Sequence, residues 1–327
     1  MIVPVHGHAG LTKRCVDALL AAPPSDHMLQ VVVVDDASDD STPELLAEYE
    51  DRITVVTHRE NTGFAGACND GAAAAGCEHL VFLNNDIEFE PGWLDALLDY
   101  ADRNPRAAVV GTRLLYPNGT IQHAGIVVTQ ERFPRHVYGG FPGDHAAVSK
   151  SRRFQCVTAA ATLFRAGPFA EVGGFDTAFL NAYEDVDLCL RLGERGYEVH
   201  YCADSVLRHL ETATRDFRDY WRNHELYLER WGDKVEPDDL RYYIEDGLLQ
   251  LEYWDQFPIR MTISPLLATC SPPEDELSAA EIATVRARQV FELLRENTHL
   301  RVRLLDLGHE LERARESALR NAVVDQS

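Results

Sequence analysis

Lysine is scarce in this sequence of 327 residues, which contains only Lys13, Lys150 and Lys234. The formal net charge is −22, so acidic side chains greatly outnumber basic ones. Surfaces that bind nucleic-acid duplexes rely on clustered lysine and arginine. The charge balance therefore argues against a nucleic-acid partner.

Long apolar runs and paired cysteines are missing as well. No segment approaches the roughly 18 apolar residues that a membrane-spanning helix needs, and no charged-then-apolar leader is found. The seven cysteines form no C-x-x-C pair and no zinc-binding spacing. Isolated cysteines in apolar contexts are typical of reduced core residues. We therefore expect a cytoplasmic protein without a transmembrane segment, either free or peripheral at the inner face of the membrane.

Several common catalytic motifs do not occur. The sequence has no G-x-G-x-x-G fingerprint and no G-x-x-x-x-G-K-[ST] loop. Their absence disfavours hydride transfer and P-loop chemistry. It also has no G-x-S-x-G elbow, which disfavours a serine nucleophile.

Apolar runs alternate with stretches of helical spacing along the chain. Strands are predicted over Met1–Val5, Gln30–Val34, Ile53–Thr57, Leu80–Leu83, Ala107–Gly111, Val157–Arg165 and Val199–Cys202. Helices are predicted over Leu11–Ala22, Ala65–Ala75, Pro91–Arg103 and Asp185–Arg195, and mainly helix follows Thr212. The alternation predicts an α/β fold with a mostly parallel sheet flanked by helices.

Polar residues end two of the predicted strands abruptly. Asp35–Asp36 follows Val31–Val34, and Asn84–Asp86 follows Leu80–Leu83. Ligands bind at the carboxyl ends of strands in open α/β sheets. Carboxylates there can accept hydrogen bonds from a base or ribose, and Asp86 can hold a divalent cation against phosphate oxygens. Helix caps and turns explain the same residues without a ligand.

A further acidic cluster, Glu184–Asp187, stands where an amphipathic helix begins. Apolar neighbours indicate burial nearby, and a carboxylate whose surroundings raise its pKa can serve as a general base. The helix dipole offers a structural explanation for the same acids. His209 is either an imidazole ligand for the same cation or a structural histidine.

Together these segments resemble the family 2 inverting glycosyltransferases of the GT-A fold. The resemblance covers about residues 1–235 and keeps the order of the motifs. The matching segments are Ile2–Val5, Val33–Thr42, Asn61–Ala65 with Asn69, Asn84–Asp86, Gly174–Asp176 and Glu184–Asp187. Gly111–Gly125 looks like the corresponding segment of bacterial rhamnosyl- and galactofuranosyltransferase-like members.

The resemblance implies a role for each matching position. The nucleotide would be bound by Pro4, Val5, Asp35, Asp36, Asn61, Gly63, Phe64, Asn69, Asn84 and Asn85. Asp86 and His209 would bind the cation, Mg²⁺ or Mn²⁺, and Asp185 would be the base that deprotonates the acceptor hydroxyl. The donor or acceptor cleft would be lined by Trp93, Phe175, Glu184 and Asp187. A core position is an equal alternative for Trp93.

The implied partners are a nucleotide-sugar donor, UDP- or dTDP-linked, and a glycan or lipid-linked glycan acceptor of cell-envelope polysaccharide synthesis. One position departs from the family pattern. The first acid of its D-x-D motif is Asn84 here, which leaves Asp86 as the single carboxylate.

Two other functions stay open. A sugar-nucleotide pyrophosphorylase would need a basic glycine-rich loop after the first strand, and His6–Gly10 with Arg14 nearby serves that purpose poorly. An inactive transferase-like scaffold is the non-catalytic alternative.

The domains are predicted as a transferase domain over residues 1–235 and a helical extension over 236–327. A heptad seam with Asn297 on it predicts a coiled-coil helix within residues 278–320. That helix either pairs two copies of the chain or packs on its own domain.

Overall fold

The computed structural model describes residues 1–21, 27–210, 220–253 and 259–269. The strands are β1 (Ile2–Val5), β2 (Val32–Asp35), β3 (Thr54–Thr57), β4 (His79–Leu83), β5 (Ile87–Phe89), β6 (Ala107–Leu115), β7 (Ile121–His123), β8 (Ile126–Val128), β9 (Pro134–His136), β10 (Arg152–Phe154), β11 (Ala161–Arg165), β12 (Glu198–His209), β13 (Leu249–Tyr253) and β14 (Ile259–Ile263). The helices are α1 (Ala9–Ala21), α2 (Thr42–Ala47), α3 (Gly63–Ala74), α4 (Trp93–Arg103), α5 (Ala166–Glu171), α6 (Glu184–Glu194), α7 (Tyr220–Trp231), α8 (Asp239–Glu245) and α9 (Pro265–Thr269).

One sheet dominates the described residues, and its main strand order is β10-β12-β6-β11-β4-β1-β2-β3. The strands β4, β1, β2 and β3 run parallel, as do β6 and β12. β11 runs antiparallel to both of its neighbours, β4 and β6. The predicted α/β fold with a mostly parallel sheet is therefore confirmed, with β11 as a reversed strand near its centre.

Alternate residues of the central strands pack on opposite faces of the sheet. Val32 and Val34 contribute to the core beneath α3, α5 and α6, whereas Val33 contributes to the core beneath α1, α2 and α4. Because both faces of these strands are buried, they appear in the sequence as unbroken apolar runs.

β12 extends well beyond the short strand predicted over Val199–Cys202, because it continues to His209. Its register against β6 shifts between Cys202 and Val206. The polar residues Asp204 and Ser205 lie in this shift and resemble a turn in the sequence. The extension places His209 at the carboxyl end of the strand, beside β5.

The predicted helical extension is not purely helical. Helix α8 packs through Tyr242 and Tyr243 on the core shared with α3 and α6. It is followed by an antiparallel pair, β13 and β14, whose alternating polar and apolar residues are typical of strands. The domain boundary at residue 235 stays a prediction, and the coiled-coil helix at 278–320 lies outside the described residues.

The cysteines for which the structure gives a position are unpaired. Cys15, Cys68, Cys156, Cys189 and Cys202 are buried, as expected for reduced core residues. Burial raises the pKa of the Cys15 thiol to about 12. Within the described ranges, no helix is long and apolar enough to cross a membrane.

Candidate active site

Three neighbouring parallel strands bring the predicted donor-side residues to one edge of the sheet. Val5 pairs with Asp35 at the carboxyl ends of β1 and β2. Asn84 follows β4, which pairs with β1 on its other side. The edge that the sequence predicted as a ligand site is therefore formed by the ends of β1, β2 and β4.

Asp36 caps the start of α3 from the end of β2. Its Oδ1 accepts hydrogen bonds from the backbone N–H of Thr62 at 2.8 Å, from Thr62 Oγ1 at 2.9 Å and from His58 Nδ1 at 2.8 Å. Its Oδ2 accepts one from the N–H of Gly63 at 2.9 Å. These contacts hold the glycine loop against β2, so the carboxylate organises the loop whether or not it also contacts a nucleoside.

The loops after β1 and β2 are tied to each other. Asp35 Oδ1 accepts from the N–H of Ser38 at 3.0 Å, and Ser38 Oγ accepts from the N–H of Gly7 at 2.8 Å. Asp40 accepts from the N–H of Ala9 at 3.0 Å. These contacts connect the two loops into a rim at the ends of the first two strands.

Two other residues were predicted to bind the nucleotide. Pro4 is half-buried, and Asn61 is exposed, with Asn61 Oδ1 accepting from the N–H of Gly63.

Asp86 and His209 meet across the junction of β5 and β12. His209 Nε2 lies 3.0 Å from Asp86 Oδ1 and 3.3 Å from Asn84 Nδ2. The other ring nitrogen, Nδ1, lies 2.8 Å from Gln122 Oε1. Both predicted metal ligands are therefore in one cluster, hereafter the donor-side cluster, consisting of Asn84, Asp86, Gln122 and His209.

The donor-side cluster has the chemistry of a shared cation site. No group of three or more histidine, cysteine, aspartate or glutamate side chains within the described ranges could hold a metal on its own. Mg²⁺ and its analogues are usually held by one or two protein ligands, with substrate phosphate and water completing the shell. Asp86 and His209 fit that arrangement. The amide nitrogen of the intervening Asn85 donates to Thr12 Oγ1 at 3.0 Å.

Asp185 is linked to this cluster through the backbone, although it lies 99 positions after Asp86 in the sequence. Its Oδ2 accepts from the N–H of Ala159 at 3.2 Å. The carbonyl of the next residue, Ala160, accepts from the N–H of Asn84 at 2.8 Å. One short segment before β11 therefore links the predicted base to the turn that carries Asp86.

Glu184 is buried at the first position of α6. Its Oε2 has no hydrogen-bond partner among the described residues. Burial, and secondly the charge of Asp185, raise the pKa of Glu184 to about 8. The raised pKa favours the neutral, protonated form of Glu184 beside Asp185.

Asp187 is fully buried and anchors α6. Its Oδ2 lies 2.6 Å from Arg191 Nε, and its Oδ1 accepts from Trp231 Nε1 at 3.0 Å. Arg230 approaches Oδ1 at 3.3 Å and also binds Asp176 at 2.6 Å. These contacts join α6, α7 and the preceding loop into one unit, hereafter the anchor network.

Phe175 lies in the core rather than on an open surface. Asn69 donates to its carbonyl at 2.8 Å and accepts from its N–H at 2.9 Å, so one amide satisfies both backbone groups. Phe64 contacts the Phe175 ring edge-on, with centroids 5.8 Å apart. Asn69 and Phe175 therefore connect α3 to the loop before α6.

Trp93 also occupies a core position. Its ring stacks on Phe89 with centroids 5.2 Å apart, and it packs in the core beneath α1 and α4. Asp185 belongs to α6 on the opposite face of the sheet. The structure therefore gives Trp93 a core position, which is the alternative that the sequence left open.

Several contacts were missed by the sequence reasoning. Gln122 lies in β7, in a segment noted only for its family resemblance, and nothing in its spacing indicated a partner at residue 209. Arg230 and Trp231 lie on α7, far from Asp187 in the sequence. Asn223, fully buried on the same helix, binds both backbone groups of Leu180. A buried asparagine or an arginine–tryptophan pair on a helix could have signalled such anchors.

Comparisons with known proteins show which family and fold this chain resembles. Residues 1–140 match the family model for Glycosyl transferase family 2. The O-antigen biosynthesis protein RfbC of Myxococcus xanthus is 34% identical over 249 residues, which are 72% of this chain and 20% of that protein. The N-acetylglucosaminyl-diphospho-decaprenol L-rhamnosyltransferase of Mycobacterium tuberculosis is 26% identical over 213 residues, 58% of this chain and 69% of that enzyme.

A solved structure of GalNAc-T7 with UDP, GalNAc and Mn²⁺ shares the fold. It superposes with a TM-score of 0.56 and 15% identity, covering 75% of this chain and 53% of that one. The predicted GT-A fold is therefore confirmed. The chain spans between a fifth and a quarter of the length of the first relatives it matches, at 20% and 25%.

Proposed function

Since residues 1–140 match the family 2 glycosyltransferase model and the chain has the GT-A fold, we propose that the protein is a metal-dependent inverting glycosyltransferase. It would move a sugar from a nucleotide-diphosphate donor to a hydroxyl group of a glycan or lipid-linked glycan. The observation that carries this proposal is the link through Ala159 and Ala160 between Asp185 and the Asn84–Asp86 turn. It supports a carboxylate base that acts beside a cation held by Asp86 and His209.

On the donor side, Asp86 and His209 would hold the cation, and the rim formed by the ends of β1 and β2 would hold the nucleoside. When bound, a divalent cation neutralises charge on a diphosphate leaving group.

On the acceptor side, Asp185 would take the proton from the attacking hydroxyl. Its carboxylate is half-buried and accepts only backbone hydrogen bonds in the contacts above, from Ala159 and Val186. Oxygen lone pairs are thus free to accept the acceptor proton. The hydroxyl oxygen bonds to the anomeric carbon as the bond to the diphosphate breaks on the opposite face, which inverts the configuration and needs no protein nucleophile.

The donor is expected to be a UDP or dTDP sugar, and the acceptor to belong to a cell-envelope glycan. The first expectation comes from the family resemblance. The second is supported by the names of the relatives, one in O-antigen biosynthesis and one acting on a decaprenol-linked sugar.

The test is a panel of UDP-, dTDP- and GDP-sugars, each assayed for donor hydrolysis and transfer with Mn²⁺, with Mg²⁺ and with a chelator. We expect cation-dependent turnover with one nucleotide class, and a product of inverted anomeric configuration by NMR. Turnover that survives the chelator or retains the configuration would contradict the proposed mechanism. Consumption of a nucleoside triphosphate with release of pyrophosphate would instead identify a pyrophosphorylase.

A further inference from the structure

Gln122 occupies a defined place in the donor-side cluster, although no motif assigns it a role. It lies in β7 and is buried, with 7% of its surface exposed. β7 and β12 both pair with β6, so Gln122 and His209 come together despite their distance in sequence. The distance of 2.8 Å between Gln122 Oε1 and His209 Nδ1 is that of a hydrogen bond.

This contact determines which ring nitrogen of His209 carries the proton. A carbonyl oxygen can only accept a hydrogen bond, so Nδ1 must donate to Gln122 Oε1. On the other side of the ring, Nε2 lies between Asn84 Nδ2 at 3.3 Å, which donates, and the nearer Asp86 Oδ1 at 3.0 Å, which accepts. Gln122 is therefore the contact that fixes a proton on Nδ1 and the direction of Nε2.

Nε2 and Asp86 Oδ1 lie 3.0 Å apart. A cation held by both atoms would take the place of the proton that a carboxylate oxygen otherwise accepts from Nε2. Histidine ligands commonly donate their second nitrogen to an acceptor that fixes the ring and its tautomer, and removal of such an acceptor weakens metal binding.

We propose that Gln122 is a positioning residue that holds His209 in the Nδ1–H tautomer, with Nε2 directed at the divalent cation. The proposal rests on the proposed function, which supplies that cation. Since Asn84 stands in the place of an acid, Asp86 is the only carboxylate of the turn. The orientation of the imidazole therefore matters more here than in a site with two carboxylates.

The first experiment reads the tautomer directly. The full chain is labelled with ¹⁵N-histidine, and long-range ¹H–¹⁵N correlation spectra are recorded at pH 8 without metal. The His209 signals are identified by their loss in His209→Asn. We expect Nδ1 to be protonated in the wild type. Wild-type signals of a ring with an unprotonated Nδ1 would overturn the proposal.

The matched variants are Gln122→Leu and Gln122→Glu. Leucine has a similar size but cannot accept, so we expect His209 to lose the Nδ1–H tautomer. Glutamate retains the acceptor oxygen, so the tautomer should be kept. Asp86→Asn is the control, because it changes a ligand and should leave the tautomer unchanged.

The second experiment measures Mn²⁺ binding without nucleotide, from the loss of the free-ion EPR signal. Gln122→Leu should bind Mn²⁺ about 10- to 100-fold more weakly than the wild type. Gln122→Glu should stay within a few-fold of it. Equal affinity of the wild type and the leucine variant, with an unchanged tautomer, would overturn the role of Gln122. A wild type with the expected tautomer but no Mn²⁺ binding would contradict the metal site of the proposed function instead.

Discussion

Asp185 and Asp187 lie two residues apart on α6 and have opposite surroundings. Asp185 is half-buried and accepts hydrogen bonds from the backbone of Ala159 and Val186. Asp187 is fully buried, and its two oxygens bind Arg191, Arg230 and Trp231. The carboxylate of Asp185 is left accessible to a ligand, whereas side chains of the protein itself bind both oxygens of Asp187.

The difference shows that two carboxylates of one short acidic motif can have different roles. Acidic residues in the first turn are favoured by the helix dipole, which explains why both are tolerated there. The anchor network fixes the position of α6 against α7, and a fixed helix holds Asp185 at the end of β4. Groups that act chemically need such rigid support. We therefore expect changes at Asp185 to affect turnover and changes at Asp187 to affect stability.

The largest effect is expected from Asp185→Asn. An amide cannot accept the proton of the attacking hydroxyl, so transfer should fall by about 10²- to 10⁴-fold. Nucleotide binding should stay close to that of the wild type, as measured by calorimetry with UDP and Mn²⁺. Turnover equal to that of the wild type would exclude Asp185 as the base.

Asp187→Asn should destabilise the protein without removing the base. Arg191 and Arg230 would lose the charge that they share, and breaking a buried ion pair costs roughly 3–5 kcal/mol. The free energy of unfolding from urea titration measures this loss. Asp185→Asn is the matched control and should unfold close to the wild-type midpoint. If the two variants were equally stable, the comparison between the two carboxylates would fail.

The parts of the fold that follow local patterns were predictable from the sequence. The alternation of apolar runs and helical stretches gave the α/β class, because strands buried on both faces form continuous apolar runs. The motifs at Asn84–Asp86 and Glu184–Asp187 were found for the same reason, since each directly follows or begins an element.

The contacts that join distant segments were not predictable in this way. Asn69 was predicted at the nucleotide, but its amide binds both backbone groups of Phe175. Gln122 reaches His209 only because β7 and β12 share β6 as a neighbour. Such pairings depend on strand order and register, which a single sequence does not encode as a local pattern. The antiparallel pair of β13 and β14 differs from these contacts, because its alternating polar and apolar residues are a local pattern that indicates strands.

Asn69→Ala tests whether the loop before α6 supports the position of Asp185. The change leaves the N–H and the carbonyl of Phe175 without their partners, and each unsatisfied buried group costs about 1–3 kcal/mol. We expect a loss of about 2 kcal/mol in the free energy of unfolding, measured with urea, and a several-fold drop in turnover. Asn69→Asp keeps the acceptor but not the donor, so its loss should be intermediate. An alanine variant as stable as the wild type would show that the amide contacts are unimportant.

The effect most dependent on pH is expected at Glu184, which directly precedes Asp185 on α6. Burial, and secondly Asp185, raise the pKa of Glu184 in the folded protein from 4.5 to about 8. Between these two pH values the folded state keeps a proton that the unfolded chain releases. This residue therefore lowers the free energy of unfolding as the pH rises toward 8, and its contribution stays constant at higher pH. Glu184→Gln cannot ionise and should lack this fall. Relative to the wild type, it should therefore gain at least about 1.4 kcal/mol, the equivalent of one pKa unit, between pH 5 and pH 8. Urea unfolding of both proteins at the two pH values measures the change, and a difference that is constant with pH would show that Glu184 does not hold a proton in the folded state.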